Sequence, residues 1–257
     1  MTKHQTRVAL TATLLLSVPA IMAAESAAEN PRAEPVGFIY GIGVGLNQEL
    51  YQDYRRRVVP IPVIGYRGER LSVYGPFINY QLLQQDGLTL TARLAPRFAG
   101  TDASKSPVFE GMKKRRTSAD AGFGLRYDWQ QLRFETSWMH DILGNSDGYE
   151  VRNRIGYQHR FGPVFVEPHL SLDYSNARLV NYYYGVRPEE ATSSRPAYQA
   201  GSAWNPALGV SVATPIFLGG MTRLGVDHRW YHDAIADSPL TDRQRGFQVF
   251  FSFSRFF

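Results

Sequence analysis

The residues best suited to chemistry in this 257-residue chain are its six histidines and the acids and serines near them. A histidine held by a carboxylate can act as a general base toward water or a serine hydroxyl, which would suit a hydrolase of lipid or peptide. His140-Asp141 and His232-Asp233 have that composition. Neighbouring residues on a strand point to opposite faces, so neither pair is a preformed dyad. His140 shares a face with Phe134 and Trp138, and His228 shares one with Leu224, Val226 and Trp230. Both read as interfacial histidines. His169, between Glu167 and Ser171, is placed on a polar face as a hydrogen-bonded structural residue. Asp237, Ser238 and Pro239 form a turn signature. No spacing suits zinc or calcium. There is no cysteine, which removes disulfides, thiolate catalysis and Cys-bound zinc. The expectation is a chain with no catalytic, cofactor-binding or metal residues.

The elements that carry these residues are strands. In 150–174, Val151, Ile155, Tyr157 and Phe161 alternate with Arg152, Arg154, Gln158 and Arg160. After Gly162-Pro163, Val164, Val166, Leu170 and Leu172 alternate with Glu167, His169, Ser171 and Asp173. Period two means β-strands, here about twice the usual length of about five or six residues. One face is apolar and aromatic-ended, and the other is fully charged. An antiparallel all-β transmembrane barrel with a polar lumen is the fold that suits both faces. Outside the N-terminus no apolar run is long enough for a transmembrane helix. Residues 1–24 have a basic start, an apolar run and Ala23-Ala24, the pattern of a cleaved signal peptide. Residues 25–35 read as a disordered periplasmic lead-in, and 36–257 as the outer-membrane barrel.

Eleven extended segments can be marked, among them 71–83 and 88–98 as one pair, but both ends on the periplasmic side require an even number. The expectation is ten strands, with 58–66 folded as an extracellular extension because of Pro60 and Pro62; twelve is the alternative. The break at 84–87 should be periplasmic. Leu90, Leu94, Phe134, Ile155, Val166, Leu170, Val210, Val226 and Phe251 should face lipid. Arg93, Arg97, Arg126, Arg133, Arg152, Arg154, Arg160, Arg223 and Arg229 should point inward, with Asp128, Glu135, Asp141, Glu167, Asp173 and Asp227. Charges of both signs can pair across a small barrel and fill it. An excess of arginine also leaves open a narrow anion-selective channel. The net charge of +5 is spread along the strands and does not suggest nucleic-acid binding. Lys113, Lys114, Arg115 and Arg116 form a basic run that could meet lipopolysaccharide phosphates, or be a solvated loop.

Several stretches resemble the MipA/OmpV family of MltA-interacting outer-membrane proteins. They are VVPIPVIGYRGERLSVYG at 58–75, KKRRTSADAG at 113–122, NYYYGVRPEEA at 181–191, AWNPAL at 203–208 and DAIADSPLTDRQRGF at 233–247. The chain ends Ser-Arg-Phe-Phe, where an ending nearer Tyr-Arg-Phe is usual in the family. The resemblance implies a barrel serving as a non-enzymatic scaffold between a lytic transglycosylase and a penicillin-binding protein in murein synthesis. It assigns no role to the motif positions Tyr182, Tyr183, Tyr184, Gly185, Val186, Asp237, Ser238 and Pro239. In the loop 175–203, Tyr182 and Tyr184 are expected to extend a strand above the membrane while Tyr183 plugs the mouth, with a recognition surface as the other reading.

Overall fold

The computed structural model describes residues 36–256, so the expected signal peptide and lead-in lie outside the described residues. Alternating apolar and polar residues fold into one antiparallel meander. Its strands are β1 (Gly37–Gln48), β2 (Arg56–Arg67), β3 (Leu71–Tyr74), β4 (Phe77–Gln85), β5 (Leu88–Arg97) and β6 (Ser118–Trp129). They continue as β7 (Leu132–Asp141), β8 (Tyr149–Tyr157 with His159–Phe161), β9 (Val164–Ser175), β10 (Ala203–Thr214), β11 (Met221–Trp230) and β12 (Arg245–Phe256). Each strand pairs with the next, and β1 pairs with β12, so the sheet closes into a twelve-stranded barrel. The two runs of β8 keep one register against β9. The rungs between them are missing beside Pro168, which has no N–H to donate.

Three expectations are corrected. The barrel has twelve strands, not ten. Residues 58–66 are not an extracellular extension but the body of β2, which pairs with β1 from Gly37↔Arg67 to Gln48↔Arg56. The stretch 71–83, read as one strand, is turned back by Gly75 and Pro76 into the short hairpin β3–β4. Gly75 has φ +55°, a left-handed conformation that glycine adopts without a steric penalty. Parity survives because two strands enter the count together. The 84–87 turn lies at the same end as both ends of the described chain, opposite the long loops.

The apolar face is turned outward as expected. Leu170 is 58% exposed, and Phe134, Ile155, Val210 and Phe251 are also exposed. A belt of rings marks the strand ends, including Phe38 on Tyr66 at 5.3 Å and Tyr174 on Trp204 at 4.7 Å between centroids. Such aromatic girdles sit at membrane–water interfaces. His140 stacks on Trp138 at 5.9 Å, and His228 lies 4.4 Å from both Trp230 and Phe247, so both belong to this belt.

One part of the wall is incomplete. β2 has β3 beside it only at Gly65–Arg67, and β5 has β4 beside it only as far as Leu94. Above those points the facing edges of β2 and β5 form no described rungs with each other. The gap ends below at the Gly75 turn, whose N–H donates to the Ile64 carbonyl at 3.1 Å. It ends above at Arg57, which donates to the carbonyls of Phe98 and, at 2.9 Å, Gly100. Backbone polar groups alternate in direction along a strand. Since Ile64 points into the gap, so do Pro60 and Pro62. Across it, the Ala119 carbonyl opposite Pro96 is taken by Ile142 on the far side at 2.9 Å, so Pro96 also points into the gap. Prolines therefore stand where an N–H would have no strand partner.

Candidate functional site: the lumen and its outer dome

Period two brings charges from many strands onto the inner wall, and they pair there. Arg97 meets Asp120 at 2.5 Å and Glu150 at 3.7 Å. Arg152 meets Glu150 at 2.6 Å, and Asp173 takes Arg229 at 2.5 Å. Nearer the periplasmic end, Arg133 bridges Asp128 at 2.7 Å and Glu167 at 3.4 Å, while Arg154 holds Glu167 at 2.7 Å. Asp120 and Glu150 were missed by sequence reasoning, although alternation from Arg126 and Arg152 places both inward. Asp141 is not a lumenal counter-charge. It accepts from Ser118 Oγ and from the backbone N–H groups of Leu143 at 3.0 Å and Ser146 at 2.6 Å, which fixes the loop after β7. Arg160 is exposed near the periplasmic end, with its guanidinium 5.2 Å from the Phe165 ring.

His169 is buried in this network. Its Nε2 lies 2.7 Å from Asp227 Oδ1, and its Nδ1 lies 3.1 Å from Arg154 Nη2. The Glu167 carbonyl also lies 3.2 Å from Nδ1, so that nitrogen sits between Arg154 and a backbone acceptor while Nε2 faces Asp227. Both ring nitrogens are therefore engaged, and neither meets a hydroxyl. Ser211 Oγ accepts from Arg154 at 3.2 Å instead of facing the imidazole. The arrangement orients charge; it does not assemble a nucleophile and base. No group of three or more potential metal ligands occurs among the described residues.

A cavity of about 630 Å³ fills the upper lumen. Its roof is a dome of interlocked loops. Loop 176–202 is not a strand extension: Asn176 caps a helix α1 (Ala177–Tyr184), accepting from the Leu179 N–H at 3.1 Å. This corrects the expected conformation of Tyr182 and Tyr184. Tyr183 is buried and lines the cavity roof. A helix α2 (Asp233–Ala236) packs nearby through Ile235, beside Leu50, Val180 and Ala203. A second cluster joins Tyr51, Phe109, Val186 and Leu240 from four loops. Each fully buried aliphatic or aromatic side chain of this kind contributes about 1.5–3 kcal/mol.

The family-motif positions meet in this dome. Ser238 Oγ donates to the Tyr184 carbonyl at 2.6 Å, joining the two motif segments. A Cβ on Gly185 would lie 2.4 Å from the Asn181 carbonyl oxygen, so only glycine fits at the helix end. Asp237 stays exposed at the turn, and Pro239 offers its carbonyl to Gln52 at 3.1 Å. Arg115 departs from its expected place. It is buried, not presented to lipopolysaccharide, and grips Glu190 at 2.7 and 3.0 Å. Lys113, Lys114 and Arg116 remain exposed. Burial opposes ionisation of Glu190, but donors from Arg115 and the backbone of Lys113 and Arg187 outweigh it and hold the carboxyl at about 2. Burial also pushes the hydroxyls of Tyr51, Tyr183 and Tyr184 up, so they stay neutral donors.

The family model described as MltA-interacting protein MipA matches residues 40–257. The MltA-interacting protein of Escherichia coli K12 is 30% identical over 210 residues, spanning 80% of this chain and 84% of the relative. The outer membrane protein OmpV of Vibrio cholerae is 27% identical over 212 residues, spanning 78% and 79%. Among solved structures, an outer-membrane channel of Pseudomonas putida F1 aligns with TM-score 0.44 at 10% identity, covering 91% of this chain and all of that one. The NanC porin aligns at 0.41 and 9% identity, covering 85% and 99%.

Proposed function

The chain belongs to the MltA-interacting protein MipA family of outer-membrane barrels, and from that premise we propose that it is a non-enzymatic scaffold for murein enzymes. Its partners would be a lytic transglycosylase and a penicillin-binding protein. The observation that carries this reading is the closed outer mouth. Tyr183 and the dome roof the lumen, and paired charges cross it below. A barrel closed in this way is suited to presenting a surface more than to passing solute. The short turns at the opposite end, with Gln85, Asp86, Gln130 and Gln131 exposed, are the surface that would meet periplasmic partners. The absence of a hydroxyl at His169 favours this over a rim hydrolase. Exposed Lys113, Lys114 and Arg116 would add contact with lipopolysaccharide phosphates.

The test is photocrosslinking from positions 85 and 130 in intact envelopes, combined with planar-bilayer recording of the purified barrel. The expected result is capture of a lytic transglycosylase and no steady conductance. Steady anion-selective conductance without such capture would replace the scaffold with the channel. Esterase or peptidase activity abolished by His169→Ala would replace it with the hydrolase.

A further inference from the structure

We propose that the gap between β2 and β5 is a lateral portal through which a single-chain amphiphile with an anionic head enters the lumen from the membrane. This goes beyond the scaffold reading and does not depend on it. The first observation is the lining of the upper cavity. Five consecutive strand residues, 93–97, border it, followed by Phe98 and Ala99 of the loop. On a strand within a complete wall only alternate residues could do so, because the others face lipid. The cavity therefore reaches around the free edge of β5. Val59 and Ile61 border it from the β2 side, and Phe77 borders it at the hairpin.

The second observation is chemical. The flanks are apolar: Val59 and Ile61 on one side, Leu94, Pro96 and Phe98 on the other. Deeper in, five arginines and three carboxylates line the same cavity. Arg93, just below the portal with its side chain laid over Gly124 of β6 inside the lumen, has no carboxylate within ion-pair distance among the described residues. Its described hydrogen bond runs from Nε to Thr91 Oγ1 at 3.3 Å. Its place is also made for it: a Cβ on Gly124 would lie 2.5 Å from Arg93 Nε. A guanidinium with its terminal NH2 groups available is a bidentate carboxylate receptor. An apolar slot opening to lipid beside such a receptor fits a fatty-acid-like molecule, head at Arg93 and tail in the gap. A cavity of about 630 Å³ is within the range that holds one small ligand, about 300–1,000 Å³. The rival occupant is an added strand from another protein. Pro60, Pro62 and Pro96 argue against it, because strand addition depends on edge donors that these residues lack.

The experiment uses the whole barrel in nanodiscs and a palmitate analogue carrying a photoreactive diazirine near its tail end, with labelled peptides mapped by mass spectrometry. The expected labels fall at Val59, Ile61 and 94–98, and free palmitate competes them away. Arg93→Gln lowers this labelling about tenfold, the factor for one lost charge-assisted contact, while Arg93→Lys, which keeps the charge but not the two-pronged contact, retains an intermediate level. Ala95→Trp, which crowds the lumenal side of the free β5 edge between Arg93 and Arg97, lowers it as well. Unchanged circular dichroism and heat-resistant migration establish that each variant is folded. Labelling as strong at Leu170 as at Val59, or undiminished in folded Arg93→Gln, would overturn the proposal. Competition by dipalmitoyl phosphatidylglycerol but not by palmitate would overturn the single-chain assignment.

Discussion

The wall from β6 to β11 and the wall from β2 to β5 obey the same alternation but differ in how their edges are used. In the first, the described strands have neighbours on both sides, and Pro168 costs only the rungs beside it. In the second, Pro60, Pro62 and Pro96 face a space with no strand in it. A proline in a strand is therefore ambiguous by itself. What decides its meaning is whether the register supplies a partner on that side.

The largest expected difference between the two walls concerns a charge on the lipid face. Leu170→Arg should cost about 2–4 kcal/mol in a refolding titration into lipid. Pro62→Arg should cost less than half of that, because its guanidinium can reach through the gap to the charged lumen. Equal costs would mean the gap is sealed. Ser171→Arg, one residue from Leu170 and facing inward, should also cost less on account of lipid, and equality there would mean a register wrong by one.

Removing Arg57 tests the upper end of the gap. It leaves Glu49, now 2.7 Å from the guanidinium, without its partner. Arg57→Ala should destabilise the barrel by about 2 kcal/mol, below the about 3–5 expected for a fully buried pair. Arg160→Ala, at an exposed site on the complete wall, should stay within about 0.5 kcal/mol. Guanidinium melts of both variants measure the contrast.

Smaller effects come from the prolines themselves. Pro168→Val restores a donor opposite an existing strand and should stabilise by about 0.5–1.5 kcal/mol. Pro62→Val adds a donor that meets nothing in an apolar slot, so it should give no gain and cost about 1 kcal/mol. A matching gain for Pro62→Val would reveal a partner in the gap.

The smallest effect on either wall should come from acid, which acts on the dome. Glu190 is held at about 2 against an ordinary 4.5. A depressed carboxyl contributes its full stability above about pH 4.5 and loses it as pH falls toward 2. Over that window loop 176–202 should lose resistance to pepsin, while the far-ultraviolet strand signal persists. Glu190→Gln should remove most of the pH dependence.

The alternation of 150–174 made the barrel and its two faces legible before any coordinates. The strand number was harder to read. β3 has only four residues, too few to establish a period of two, so 71–83 looked continuous despite Gly75-Pro76. The prolines of β2 were read as taking 58–66 out of the wall, whereas they mark one edge of a strand that pairs along its whole length with β1 on the other side. The dome was hidden for another reason. Arg115 and Glu190 stand 75 residues apart and meet only through tertiary packing. In the run 113–116 nothing distinguishes the buried charge from its solvated neighbours. Asn176 was the one local sign of a helix in the long loop.

The dome also decides how this protein would look to an antibody at the cell surface. Its faces are assembled from loops far apart in the chain: Tyr51, Phe109, Val186 and Leu240 meet in one cluster. A serum raised against the folded barrel should recognise composite epitopes that boiling in detergent destroys. Peptides copied from single loops would then capture little of it, and immunisation with those peptides would raise antibodies that ignore intact cells.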